Sequence, residues 1–320
     1  MNSMPLKPVQ TVEVTTLLDN YIDLLLESAP SVRRPPLARD GEIPTDSLIA
    51  EHGLSLLVKT RGEEGQRTIL LDTGYNAQSM IHNMQWLRID PSSIETIVVS
   101  HAHMDHAGAL YPLVEKINRS VPLVAHPDIF AHPRILKTKD GHEVRFPNCY
   151  DRERLVSSGI DFVESRTPTL VAEETILVTG EVERTTDFEK GMPGAYVEKN
   201  RQMQHDPISD DQSLIVHLQG KGLVLITGCC HAGIINTIRY AQKITGIHEV
   251  HAVLGGLHLS GPAFAPIVER TIDELQALNP ERIVPMHCTG WNSTKRLAEA
   301  FTEGFVLNSV GTTYILGKAT

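Results

Sequence analysis

Three histidines and an aspartate fall within six residues in the stretch Ser100-His101-Ala102-His103-Met104-Asp105-His106. Imidazole nitrogens suit Zn, Fe, Ni or Cu, and a carboxylate adds a harder oxygen donor. Four such side chains at this spacing cannot all point one way on a helix or a strand. On a tight turn at the carboxyl end of a strand they can converge, and α/β proteins place their ligands there. Left unpartnered beside an apolar strand, so many polar groups would be costly. A metal site is the chemistry this stretch predicts.

The elements that must position it can be read outward from there. Residues 94–100 form a short, apolar, β-branched run, which predicts a buried strand leading into the cluster. Upstream, residues 9–18 read as a strand, and residues 54–59 and 68–71 as a hairpin around a polar turn. Helices are predicted over 77–87 and 108–117, with a strand over 122–125. The second half repeats the theme. A hairpin over 213–218 and 223–227 is followed by a helix over 234–244, a strand over 250–254, a helix over 266–278, a strand over 283–285 and a helix over 294–301. Pro30, Pro35, Pro36 and Pro44 mark residues 28–47 as an irregular loop. Between about 127 and 207 the pattern weakens into a loop-rich insertion. Clustered strands that then alternate with helices predict one α/β domain over residues 1–320, its sheets covered outside by helices.

Composition narrows the function. The chain of 320 residues is 41% apolar and 21% charged, which is globular and not disordered. Its apolar runs, such as residues 223–226, fall far short of the ~20 needed to cross a bilayer. The first ten residues lack the pattern of a secretory signal, so cytoplasmic residence is expected. A net charge of −10 argues against nucleic acid or an anionic membrane as the main partner. A small-molecule substrate is expected instead, and nothing in the sequence bears on oligomeric state. Four cysteines, two of them adjacent, make no disulfide framework and fit a reducing compartment. Neither a P-loop, a dinucleotide glycine pattern nor a Gly-x-Ser-x-Gly elbow occurs.

The pattern His101-x-His103-x-Asp105-His106 resembles the signature of the metallo-β-lactamase superfamily, and the likeness spans nearly the whole chain. It implies a four-layer αβ/βα sandwich. It also implies that His101, His103 and a later histidine hold one metal, while Asp105, His106 and another later histidine hold a second. Leu70-Leu71-Asp72-Thr73-Gly74 looks like the family's earlier motif, whose aspartate, here Asp72, braces the metal loop from behind. His231 and His287, each just after a predicted strand, stand where the later ligands are expected. His106-Ala107-Gly108 and His231-Ala232-Gly233 form a faint internal repeat. Zn2+, one or two ions per chain, is the implied cofactor, with Fe or Mn in similar sites. The implied activity is a metal-dependent hydrolase that directs a metal-bound hydroxide at a small ester, phosphoester or lactone. Asp105 would orient that hydroxide or accept its proton.

The chain departs from the family where a Gly-His and a Gly-Asp are usual, reading Thr179-Gly180-Glu181 and Thr227-Gly228-Cys229. Glu181 or Cys229 could coordinate, or Cys229 could be only a small buried residue. His258 reads equally as a core histidine or a direct participant, and His52 and His126 as pocket residues or structural ones. Asp210-Asp211 reads as a turn entering a strand in preference to an acid–base pair, and Arg33-Arg34 as solvated surface in preference to an anion site. Further blocks, among them Asp19-Asn20, Glu51-His52-Gly53-Leu54-Ser55 and His287-Cys288-Thr289-Gly290, resemble one subfamily. Its members are described as metal-dependent hydrolases of the β-lactamase superfamily II. Some are described as the methanopterin-pathway synthase that joins a dihydropterin to ribofuranosylaminobenzene phosphate. The alternatives to hydrolysis are therefore that transferase chemistry, or a non-catalytic effector that keeps the metal as structure.

Overall fold

The computed structural model describes residues 3–318. Met1, Asn2, Ala319 and Thr320 lie outside it, and with them the first two residues of the stretch read for a signal.

Two β-sheets face each other. In the first, Val32–Arg33, Thr313–Gly317, Thr11–Leu18, Ser55–Gly62 and Gly65–Leu71 run antiparallel in that spatial order. Thr96–Val98, Val121–Ala125 and Ile160–Glu164 continue the sheet in parallel. In the second, Thr169–Val171, Ile176–Val178, Ser213–Leu218 and Gly222–Thr227 are antiparallel, and Val250–Gly256 and Arg282–Met286 extend it in parallel.

The period of two in each strand sorts its side chains between faces. Val12, Val14, Leu56, Val58 and Ile69 meet Leu214, Val216, Val224, Ile226 and Leu254 in a dry layer between the sheets. The opposite face of the first sheet packs under Ala77–Trp86, Leu110–Ile117 and Arg152–Ser157 through Leu57, Leu70, Met80, Leu113 and Leu155. That of the second packs under Ile234–Thr245, Val268–Leu278 and Trp291–Ala300 through Leu225, Ile238, Leu275 and Leu297. The layers run helix, sheet, sheet, helix, which is the expected αβ/βα sandwich.

Three features escaped the sequence pattern. Thr313–Gly317 closes the first sheet against Thr11–Leu18 although it is only five residues long. Val32–Arg33, inside the proline-rich loop, pairs with it in turn. Residues 127–207 hold a third sheet in the order Gln202–His205, Ala195–Lys199, Arg134–Lys137, Glu143–Arg145. Its strands are partly exposed and rich in Lys, Arg, Glu and Gln, so they lack the alternation that would reveal them.

The sheets matter to function through their parallel strands. Leu71, Val98, Thr227, Gly256 and Met286 end five strands that each have a parallel neighbour. Asp72, His101, Cys229, His258 and His287 follow within one to three residues. All lie where α/β sheets gather their ligands.

Candidate metal centre

Four non-glycine residues at this edge hold strained backbone. Asp72 (φ 60°), Cys230 (63°), His258 (45°) and His287 (50°) all sit in the left-handed region that non-glycine residues avoid. Such conformations persist where the surroundings over-determine them, typically at functional sites. Gly228 meets a different demand: any side chain there would strike the Ser100 hydroxyl and Asp72, so only glycine lets the two halves close together.

Asp72 organises the first loop from below. Fully buried, it accepts the Ser100 amide at 2.7 Å through Oδ1. Its Oδ2 accepts the Ser100 hydroxyl at 2.7 Å and the Nδ1–H of His106 at 2.6 Å. Because the Ser100 hydrogen is committed to Asp72, its oxygen is left to accept Nδ1–H of His101 at 2.9 Å. This network assigns both histidines the Nδ1–H tautomer and turns Nε2 of each inward.

The inward nitrogens have company. Nε2 of His101 is 3.0 Å from Nδ1 of His103 and 3.2 Å from Nε2 of His231. Nε2 of His106 is 3.2 Å from Sγ of Cys229 and 3.9 Å from Oδ2 of Asp105. Nε2 of His287 is 3.1 Å from that same Asp105 oxygen yet makes no hydrogen bond. Asn20 Oδ1 lies 3.4 Å from Nδ1 of His287, and Asp19 accepts the His287 backbone N–H at 2.8 Å. A buried ring nitrogen and a carboxylate oxygen this close call for a proton or a metal cation to join them. The donors therefore fit a divalent metal. They form the buried groups His101–Cys229–His231 and His106–Cys229–His287. His52, Asp105 and His287 make a third, more open group, and Cys229, His258 and Cys288 a fourth. Nitrogen and sulfur with one carboxylate suit a borderline ion.

Burial and neighbouring charges shift these groups in both directions. Burial, reinforced by the neighbouring imidazoles, drives His101 and His231 well below their ordinary value and favours the neutral form a ligand needs. Burial likewise lowers His103 to about 3. His106 goes the other way: burial opposes its charge, but the Asp72 and Asp105 carboxylates overcome that and raise it to about 9. For Asp105 burial works upward, and the His106 and His287 rings more than offset it, holding the carboxyl well below the usual range.

Two aspartates brace the loops. Asp210 is buried, accepts the Ala102 amide at 2.8 Å and takes two hydrogen bonds from the guanidinium of Arg134, at 2.6 and 3.0 Å. Asp211 accepts the Ala232 amide at 2.9 Å, beside His231. Each fixes the backbone next to an inward-facing histidine, a role a turn reading of Asp210-Asp211 could not anticipate because it needs the partner loop. The third sheet contributes here too, supplying Arg134 and setting Phe146 flat against His103 at 4.5 Å between ring centres.

The structure brings His101, His103, Asp105, His106, His231, His287 and Cys229 together, with Asp72 behind them. His258 packs on His231, 4.0 Å between ring centres, and joins Cys229 and Cys288. His52 is 67% exposed and stands at the rim, 3.7 Å from Asp105. His103, Glu181 and His126 belong to none of the donor groups, and His103 reaches them through His101 at 3.0 Å. His126 is buried and accepts the Asp128 amide, and Glu181, half exposed, lies 3.8 Å from it. Cys288 was not singled out in the sequence, although it adjoins His287 in a quoted motif.

Comparison with known proteins agrees with the geometry. The family model described as the metallo-beta-lactamase superfamily matches residues 50–198. A 7,8-dihydropterin-6-methyl-4-(beta-D-ribofuranosyl)-aminobenzene-5'-phosphate synthase from Methanocaldococcus jannaschii is 34% identical over 264 residues, covering 80% of this chain and 87% of that protein. An uncharacterised protein of the same organism is 30% identical over 262 residues, covering 82% and 92%. The crystal structure of a metal-dependent hydrolase of the beta-lactamase superfamily superposes with a TM-score of 0.71 at 22% identity, over 97% of this chain and 100% of that one.

Proposed function

The chain belongs to the metallo-beta-lactamase superfamily, and on that footing we propose that it is a metal-dependent hydrolase of a small ester, phosphoester or lactone. The observation that carries this reading is the inward convergence of ring nitrogens around Cys229, with the Asp105 carboxylate on the open side beside His52. In our reading His101, His103 and His231 hold one ion, and Asp105, His106 and His287 a second. Cys229 lies between them, where the family carries a carboxylate. One or two divalent ions, Zn2+ in the first instance, would supply a Lewis acid and an acidified water.

This chain's own groups do the rest. Asp105 orients the attacking water and takes its proton. Asp72, Asp210, Asp211 and Asp19 hold the loops so that no reorganisation is needed during the reaction. We read residues 1–320 as one domain, supported by a core that both sheets share. A reducing, cytoplasmic setting belongs to the same reading and rests on the number and spacing of the four cysteines. Among the described residues no helix is long and apolar enough to cross a membrane.

A second reading rests on the Methanocaldococcus jannaschii relative, whose name is that of a synthase. There the same ions would polarise a substrate group while a dihydropterin is joined to a ribofuranosylaminobenzene phosphate. A metal-replete preparation assayed against phosphodiesters, esters and lactones, and separately for that condensation, distinguishes the two. Hydrolysis that disappears in Asp105→Asn supports the first reading, condensation without hydrolysis supports the second, and activity unchanged by Asp105→Asn contradicts both.

A further inference from the structure

The outer face of the first sheet carries a groove of about 430 Å³ with no residue in common with the metal donors. Along these strands Glu13, Thr15, Lys59 and Thr313 alternate with Val14, Val58 and Tyr314, which point into the layer between the sheets. The groove therefore opens on the far side of the sheet from that layer. The proline-rich segment around Pro35 and the end of the first long helix form its walls.

Its chemistry is one-sided. Arg33, Arg34, Arg39, Lys59 and Arg88 line it, in a chain whose net charge is −10. Among the described residues only Arg33 has a carboxylate within 4.0 Å, Glu13 at 3.6 Å. The other acid, Asp90, is committed to the amide and hydroxyl of Ser92. Arg34 is held by neutral acceptors, the Thr312 hydroxyl at 2.8 Å and the Leu307 carbonyl at 2.9 Å. Arg39 lies flat on the Trp86 ring, 3.6 Å from its centre.

Crowding five cations around two acids, each already engaged, costs free energy. Guanidinium forks match tetrahedral oxyanions, and the volume is that of a small-molecule cleft. We propose that this groove is a second binding site, separate from the metal centre, for a small molecule bearing a phosphate or diphosphate group. Arg33-Arg34, which the sequence alone leaves as solvated surface, belongs to it.

Trp86 is one of two tryptophans, and the other, Trp291, is 72% exposed on a distant helix. Trp291→Phe therefore leaves Trp86 as the sole indole reporter in the full chain. Titration with inorganic pyrophosphate and with ribose 5-phosphate should give a saturable change in Trp86 emission. Response to pyrophosphate alone identifies free phosphates as the ligand, and response to the sugar phosphate a phosphoester. The change should persist in His103→Ala, and Lys59→Gln/Arg88→Gln, at solvated positions, should weaken binding about tenfold or more. The proposal is overturned by no response to either ligand, by the same response to potassium chloride at matched ionic strength, by a response intact in the double variant, or by one lost in His103→Ala.

Discussion

The sulfur of Cys229 lies 3.2 Å from Nε2 of His106, and the same sulfur belongs to the groups formed with His101 and His231 and with His287. It is the atom common to both buried clusters. A thiolate there would be softer than the carboxylate usual in the family and would draw the centre toward zinc or iron and away from manganese. Substituting cobalt(II) makes this visible. The wild-type protein should show an intense sulfur-to-cobalt charge-transfer band in the near ultraviolet, and Cys229→Ser should lack it while keeping the weaker ligand-field bands. A spectrum unchanged by Cys229→Ser would remove the thiol from the centre.

Asp72 reaches two inward-facing histidines, His106 directly and His101 through Ser100. Asp72→Asn keeps the volume but cannot accept all three hydrogen bonds, so ring orientation and basicity are lost together. Metal affinity should fall about 10- to 100-fold, measured by competition with a chromophoric chelator.

The histidines also set a pH dependence for the metal-free protein. His101, His103 and His231 are buried neutral, with folded values below the ordinary 6.5. Below pH 6.5 the unfolded chain therefore binds more protons than the folded one, and stability falls with pH. At one unit below, the loss should be on the order of 1 kcal/mol for each histidine. His106, raised to about 9, has the opposite sign: its contribution is complete below 6.5 and disappears as pH rises through 9. Chemical denaturation of chelator-treated protein from pH 5 to 10 should find a maximum between these limits. A flat profile would show that the rings are not held as described.

Asp210 and Arg134 form a buried pair, with Asp206 3.2 Å from the same guanidinium. Removing the carboxylate leaves a buried cation short of its main partner and the Ala102 amide without its acceptor. Asp210→Ala should cost about 3 kcal/mol in denaturant unfolding, and Asp210→Ala/Arg134→Met should regain part of it.

Much of the centre was legible because its residues are local in sequence. His101 to His106 lie within one turn, and Asp72, His231 and His287 each follow a strand whose apolar run is plain. What escaped depends on tertiary proximity. Asp210 and Asp211 look like any turn until Ala102 and Ala232 are brought against them, and Cys288 gains meaning only beside Cys229 and His258. Glu181 is suggested by analogy with a family position, and its carboxylate lies 3.8 Å from both His126 and Arg166, outside the donor groups. In the fold, the strand Thr313–Gly317 is not legible because its partner Thr11–Leu18 lies at the other end of the chain, and the third sheet because its strands are largely polar and lack alternation.

The account depends most on where the ions sit. Crystals of zinc-reconstituted protein, measured on both sides of the zinc absorption edge, would locate them by anomalous difference density. The account predicts one peak at bonding distance from His101, His103 and His231, a second at bonding distance from Asp105, His106 and His287, and Cys229 sulfur beside at least one of them. Density confined to Cys229, His258 and Cys288, or none within reach of Asp105, would contradict it.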